Sequence, residues 1–187
     1  MRRRRESSVA LVFAARGTTL DDERWIASGW RDDRLSPAGR RQAVELGEAH
    51  AGVDLAAVFS SDLGAAAETA RLAFGAHGVQ LFLDWRLRDC DLGELTGERA
   101  ASVEAARSQH GYEPFPGGES YMRVAERVRG FLHDLSPRYR DERIAVVGHL
   151  ATKWALDHVL QGVPLRDLVA GPFRWQPGWE YRLQVDP

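Results

Sequence analysis

The residues best equipped for chemistry in this chain stand at the ends of short apolar runs. His149 follows Ile144-Ala145-Val146-Val147-Gly148, and Arg16 follows the run from Val9 to Ala15, with Gly17, Thr18 and Thr19 directly after it. Asp89 ends Leu87-Arg88-Asp89, Glu119 sits in Gly117-Gly118-Glu119-Ser120, and Ser61 closes the run from Leu55 to Ser60. An imidazole titrates near neutrality and can give or take a proton. A guanidinium stays protonated and has no lone pair to attack with, so Arg16 reads as an anion holder or as the salt-bridge partner of Asp89 or Glu119.

Other polar residues have plainer readings beside their chemical ones. Thr18, Thr19 and Ser61 offer hydroxyl donors to a ligand, but threonines after a strand more often satisfy turn backbone groups. Glu119 at a helix start is also explained by the macrodipole, which favours an anion there by roughly 0.3–1 kcal/mol. Trp25 and Trp30 lie in a charged loop from Leu20 to Leu35 and are candidates to stack on a substrate ring. In the same loop, the acidic run Asp21-Asp22-Glu23 reads as solvated surface.

Composition narrows the classes. The chain has 187 residues, 44% hydrophobic and 28% charged, which suits one globular domain with a sizeable core and excludes whole-chain disorder. No window approaches the roughly 18 apolar residues of a membrane span. A formal net charge of −2 argues against a dedicated nucleic-acid binder. Cys90 is the single cysteine, so neither an internal disulfide nor a cysteine-rich metal site is expected, and a reducing, cytoplasmic setting follows. Arg2-Arg3-Arg4-Arg5 resembles the start of a signal peptide, but Glu6-Ser7-Ser8 interrupts it. Residues 1–7 read as a solvated basic tail and 8–187 as one domain.

Strands and helices must alternate to position these groups. Val9 to Ala14, Leu55 to Ser60, Val79 to Leu83 and Ile144 to Val147 read as buried strands. Ser36-Pro37 marks a helix start, and further helices are expected from Gly64 to Ala76, Glu98 to His110, Ser120 onward and after His149. Val124, Val128, Phe131, Leu132 and Leu135 share one helix face. Phe173 to Trp175, a Gln176-Pro177-Gly178 turn and Trp179 to Val185 read as a terminal hairpin, its tryptophans serving core or oligomer contacts. The pattern predicts a three-layer α/β/α sandwich with a mostly parallel sheet, whose ligands gather at the carboxyl ends of strands.

Five segments in order are similar to those of the histidine phosphatase superfamily, the fold of cofactor-dependent phosphoglycerate mutase. They are Leu35-Ser36-Pro37-Ala38-Gly39-Arg40-Arg41-Gln42-Ala43, Val58-Phe59-Ser60-Ser61-Asp62-Leu63 with Glu68-Thr69-Ala70, Leu87-Arg88-Asp89, Pro116-Gly117-Gly118-Glu119-Ser120 and Val146-Val147-Gly148-His149. The resemblance implies metal-independent phosphoryl transfer through a phosphohistidine. It also implies an acidic proton donor at Asp89, a second pocket histidine at His149 and a loop carrying Trp25 and Trp30 over the cleft. Anchored on Gly17, however, the family's first arginine falls on Ala15, its nucleophilic histidine on Arg16 and its second arginine on Ala65. Asp89 is also a methylene shorter than the glutamate many relatives carry.

These departures predict a repurposed enzyme without phosphohistidine chemistry. His149 with Asp89 or Glu119 would move protons, and Arg16, Gly17, Thr18, Thr19, Ser61, Trp25 and Trp30 would hold a small anionic metabolite. Elimination, isomerisation, cyclisation and hydrolysis all remain open as the reaction type. The alternatives are a pseudophosphatase that binds a metabolite or protein without turnover, and a residual phosphatase using His149 or water. No cofactor or metal is expected, nor a nucleic-acid or membrane partner. Helices and hairpin edges can support a homodimer, although nothing in the sequence specifies one.

Overall fold

The computed structural model describes residues 7–171 and 176–185. Strands β1 (Ser8–Ala15), β2 (Ala57–Ser60), β3 (Leu81–Leu83), β4 (Arg143–Gly148) and β5 (Trp179–Gln184) form one sheet in the order β3-β2-β4-β1-β5. The first four strands run parallel, and β5 lies antiparallel against β1 at the edge. The pleat sends alternate side chains to opposite faces, so both faces of the central strands must be apolar. Val9, Leu11 and Phe13 of β1 join Ile144 and Val146 of β4 in one core, whereas Ala14 joins Ala145, Val147 and Val58 in the other.

Helices close both faces. Helix α1 is a single turn (Leu20–Glu23), followed by α2 (Pro37–Ala49), α3 (Gly64–Phe74), α4 (Ala100–Ala106), α5 (Tyr121–Leu135), α6 (Leu150–Gln161) and α7 (Leu165–Ala170). Leu46 of α2 and Ala66, Ala70, Ala73 and Phe74 of α3 fill one core, and α5 and α6 fill the other, which makes three layers. Helix α2 starts at Ser36, whose Oγ accepts the Gly39 N–H at 3.2 Å, with Pro37 at the first helical position. Ser120 caps α5 in the same way through the Arg123 N–H at 3.3 Å. Along α5, Val124, Val128, Phe131, Leu132 and Leu135 are all buried, each contributing roughly 1.5–3 kcal/mol of hydrophobic stabilisation.

Several boundaries differ from the sequence reading. The helix expected over Glu98 to His110 is α4 followed by a 3-10 turn, Arg107–His110. Strand β3 begins only at Leu81, after Gly78 in a left-handed conformation (φ 69°). Of the expected hairpin, the second arm, Trp179 to Gln184, is a strand that pairs with β1, Phe13 facing Trp179 in register. Its first arm, Phe173 to Trp175, lies outside the described residues, as do residues 1–6 of the basic tail. No helix among the described residues is long and apolar enough to cross a membrane.

Register sets up the site. Ala15 lies opposite Gly148, and Ser60 opposite Val147, so the next residues of three adjacent strands are Arg16, His149 and Ser61. The Arg16 N–H donates to the Gly148 carbonyl at 2.9 Å and the Ser61 N–H to the Val147 carbonyl at 3.0 Å. Residues 133 positions apart in sequence thereby share one carboxyl edge, where ligands of open parallel sheets bind.

Candidate active site

Backbone packing fixes Arg16 from below. A Cβ on Gly17 would stand 2.4 Å from the Gly39 carbonyl oxygen, and the Gly17 N–H donates to Thr69 Oγ1 at 3.0 Å. Only glycine lets the end of β1 press this closely on the start of α2. Thr18 donates both its N–H (2.8 Å) and its hydroxyl (3.0 Å) to Gln42 Oε1. Thr19 forms a capping box with Asp22: its Oγ1 accepts the Asp22 N–H at 3.1 Å, and its own N–H donates to Asp22 Oδ2 at 2.8 Å.

That capping box folds the acidic run back over the strand end. Arg16 Nη1 donates to Asp22 Oδ2 at 2.5 Å and Nη2 to Oδ1 at 3.1 Å, a bidentate pair. Burial alone would disfavour both charges. The hydrogen bond and mutual attraction outweigh it, raising the Arg16 pKa and lowering that of Asp22. The reading of Asp22 as solvated surface is thus corrected, and the partner of Arg16 is neither Asp89 nor Glu119. Asp21 is buried, engaged by Arg31 and by the Ser28 hydroxyl at 3.1 Å.

His149 and Asp89 meet beside this pair. His149 is 4% exposed; its Nε2 lies 3.0 Å from Ser61 Oγ and its Nδ1 3.9 Å from Asp89 Oδ2. Burial, then the positive charges of Arg16 and Arg127, push the imidazole pKa well below 6.5, so the ring is neutral at neutral pH. Asp89 Oδ1 accepts the N–H groups of Cys90 (3.0 Å) and Ala151 (3.3 Å). Burial nevertheless raises the Asp89 pKa above its ordinary value, against the opposing pull of Arg16 and these donors. A neutral imidazole beside a carboxyl whose pKa burial raises has the chemistry an acid–base pair needs.

A cavity of about 410 Å³ opens above these groups. Arg16, Thr18, Asp22, Asp89 and His149 line its polar part; Ile26, Leu92, Val103, Leu150 and Trp154 line its apolar part. A smaller recess of about 30 Å³, enough for about one water, lies between Arg16, Ala65, Asp89 and His149. Among the described residues no cluster of three or more His, Cys, Asp and Glu side chains is placed to hold a metal ion.

Four expected site residues are placed elsewhere. Glu119 is corrected from proton donor to positioning residue, because Arg127 holds its carboxylate through Nε and Nη2, both at 3.0 Å. Arg127 in turn donates to the carbonyls of Arg86 (2.6 Å), Arg88 (2.8 Å) and Asp89 (2.6 Å), and so fixes the segment that presents Asp89. Trp25 is 78% exposed and does not line the cavity. Trp30 donates its Nε1–H to the Asp89 carbonyl at 2.7 Å, with the Arg88 guanidinium 4.8 Å from its ring centre, and so packs under the site rather than into it. Ser61 is fully buried and reaches the site only through His149.

Sequence reasoning missed Asp22, Val103, Arg107 and Trp154. A signal existed for Asp22, since Thr19-Leu20-Asp21-Asp22 has capping-box spacing. Nothing local in the sequence marks the other three as cavity wall.

A mostly parallel sheet between helices, with His149 and Arg16 at adjacent strand ends and Asp89 beside them, defines the class as an α/β protein with a strand-end pocket. The pattern of the histidine phosphatase superfamily (branch 1) matches residues 12–174, and the chain belongs to that superfamily. It is 30% identical over 155 residues to the probable phosphoglycerate mutase GpmB of Salmonella typhi, covering 79% of this chain and 72% of the relative. A mycobacterial glucosyl-3-phosphoglycerate phosphatase complexed with VO3 superposes with a TM-score of 0.78 at 28% identity, covering 87% of each chain. YhfR of Bacillus stearothermophilus gives a TM-score of 0.79 at 25% identity, covering 90% of this chain and 88% of that one.

Proposed function

We propose that this chain is an enzyme of the histidine phosphatase fold that does not form a phosphohistidine and instead performs acid–base chemistry on a small metabolite. The observation that carries this reading is the Arg16–Asp22 pair at the end of β1. On the family resemblance, this position belongs to the nucleophilic histidine. A guanidinium cannot take that role, and its charge is already matched by an internal carboxylate. Ala15 and Ala65 stand where the resemblance places the phosphate-holding arginines, which removes two further charge-assisted contacts to a phosphoryl group.

In the proposed mechanism neutral His149 accepts a proton from the substrate and Asp89, whose pKa burial raises, is the carboxyl that exchanges a proton on the other side, with Ser61 holding the ring through Nε2. Such a pair serves elimination, isomerisation, cyclisation or hydrolysis. Arg16 holds an anionic group once that group exchanges with Asp22, and the apolar wall seats the body of the ligand. A soluble, cytoplasmic setting fits this small-molecule role.

A catalytically silent binder is the second reading, favoured by the closure of Arg16 on Asp22. The open cavity beside an intact acid–base pair favours the enzyme. The test is phosphate release from a panel of phosphorylated metabolites, with the wild type run beside a variant carrying Ala15→Arg, Arg16→His and Ala65→Arg. Silence from the wild type and turnover by the variant is the expected result. Robust wild-type release abolished by His149→Ala would overturn the reading and make the protein a phosphatase with a rebuilt pocket.

A further inference from the structure

The strap that presents Asp89 offers four successive backbone carbonyls, from Arg86 to Asp89. Arg127 takes those of Arg86, Arg88 and Asp89 and so anchors the strap to α5. The Leu87 carbonyl is left to Thr152, in the first turn of α6, whose Oγ1 donates to it at 2.9 Å. The same oxygen accepts the His149 N–H at 3.2 Å. Thr152 is fully buried, so its hydroxyl has no access to bulk water and makes both bonds inside the protein. Gly148 leaves room for this arrangement, because a Cβ there would stand 2.9 Å from Thr152 Oγ1.

One hydroxyl therefore ties the backbone of His149 to the strap two residues before Asp89. In the same helical turn the Ala151 N–H reaches Asp89 Oδ1 at 3.3 Å. Arg127 holds the strap against α5, whereas Thr152 holds it against the residue that Asp89 must face. We propose that Thr152 is a positioning residue that sets the spacing of His149 and Asp89, keeping Nδ1 and Oδ2 3.9 Å apart, too far for a hydrogen bond and near enough for both to reach one ligand. The inference rests on the proposed acid–base function, which needs that gap. Nε2 already meets Ser61, so a carboxylate closed on Nδ1 would leave the ring no nitrogen for a substrate.

NMR titration of the histidine rings tests the inference, following His149 from about pH 4.5 to 8.5 and assigning its signals by their loss in His149→Asn. The charged groups that face the ring are Arg16 from β1, Arg127 from α5 and Asp89 from the strap; the two arginines hold its pKa down. Thr152→Val removes the hydroxyl at nearly constant shape. The freed strap then lets the Asp89 carboxylate close on Nδ1, and the His149 midpoint is expected to rise by about one unit or more. Thr152→Ala, a second hydroxyl-free variant with more room, should show the same rise. Thr152→Ser keeps the hydroxyl and should titrate like the wild type. A midpoint that does not rise in a folded hydroxyl-free variant, or one that rises as far in Thr152→Ser, would overturn the inference. Failure of both hydroxyl-free variants to fold would overturn it too, because the hydroxyl would then be a stability bond and no more. Phosphate release by the wild type would instead sink the acid–base function while leaving the titration comparison intact.

Discussion

Arg16 and Asp22 face each other through both terminal guanidinium nitrogens and both carboxylate oxygens, at 2.5 and 3.1 Å, at the carboxyl end of β1. The pair closes the strand end with the protein's own carboxylate. It follows that an anion entering the cavity must exchange with Asp22. Asp22→Asn should therefore raise affinity for benzoate or inorganic phosphate in calorimetry. It should also lower stability by about 1–3 kcal/mol in urea titration, less than a fully buried pair would lose because the Asp22 side chain is 36% exposed. Unchanged anion affinity would mean that Asp22 does not guard Arg16.

Asp89 and His149 impose opposite pH dependences on stability. The folded Asp89 carboxyl keeps its proton above its ordinary value of 3.8, so the folded state binds more protons across that window and stability falls as pH rises through it. His149 is depressed well below 6.5, so the unfolded state binds more protons there and stability falls as pH drops below 6.5. Asp89→Asn keeps the acceptor for Cys90 and Ala151 but cannot charge. It should melt higher than the wild type at about pH 8, with the difference shrinking toward about pH 4. A constant difference across pH would contradict the raised carboxyl.

Glu119 should prove a stability residue. Glu119→Ala strands the Arg127 charge among carbonyls and is expected to cost about 3–5 kcal/mol, read by denaturant unfolding. A proton donor would behave differently, with Glu119→Ala folding normally and losing only turnover.

Gly17→Ala drives a methyl group into the Gly39 carbonyl. A loss of about 1–3 kcal/mol is expected, together with weaker ligand binding because Arg16 moves with its neighbour. Wild-type stability in this variant would mean that β1 and α2 are free to separate.

The fold was legible because its signals are local and agree with one another. Apolar runs such as Val9 to Ala15 and Ile144 to Val147, and caps such as Ser36-Pro37 and Ser120, each specify an element without reference to the rest of the chain. Arg16 and His149 were legible as a pair because strand ends converge in such sheets, whereas Asp89, beyond β3 and a 3-10 turn, was legible only through the family resemblance. What stayed hidden depends on tertiary partners. Asp22 looked solvated until the Thr19 capping box turned it inward, and Glu119 looked catalytic until Arg127 reached it from α5. Trp25 and Trp30 carry no periodic pattern, so nothing local separates a ring over a ligand from one packed beneath Arg88.

The central claim is that this chain forms no phosphohistidine. Its most direct test is intact-mass spectrometry after rapid quenching of wild-type protein, and of the variant carrying Ala15→Arg, Arg16→His and Ala65→Arg, each mixed with a phosphoryl donor such as acetyl phosphate. The account predicts no phosphoryl adduct on the wild type and an acid-labile adduct at position 16 of the variant. An acid-labile phosphoryl adduct on the wild type, lost in His149→Ala, would contradict it.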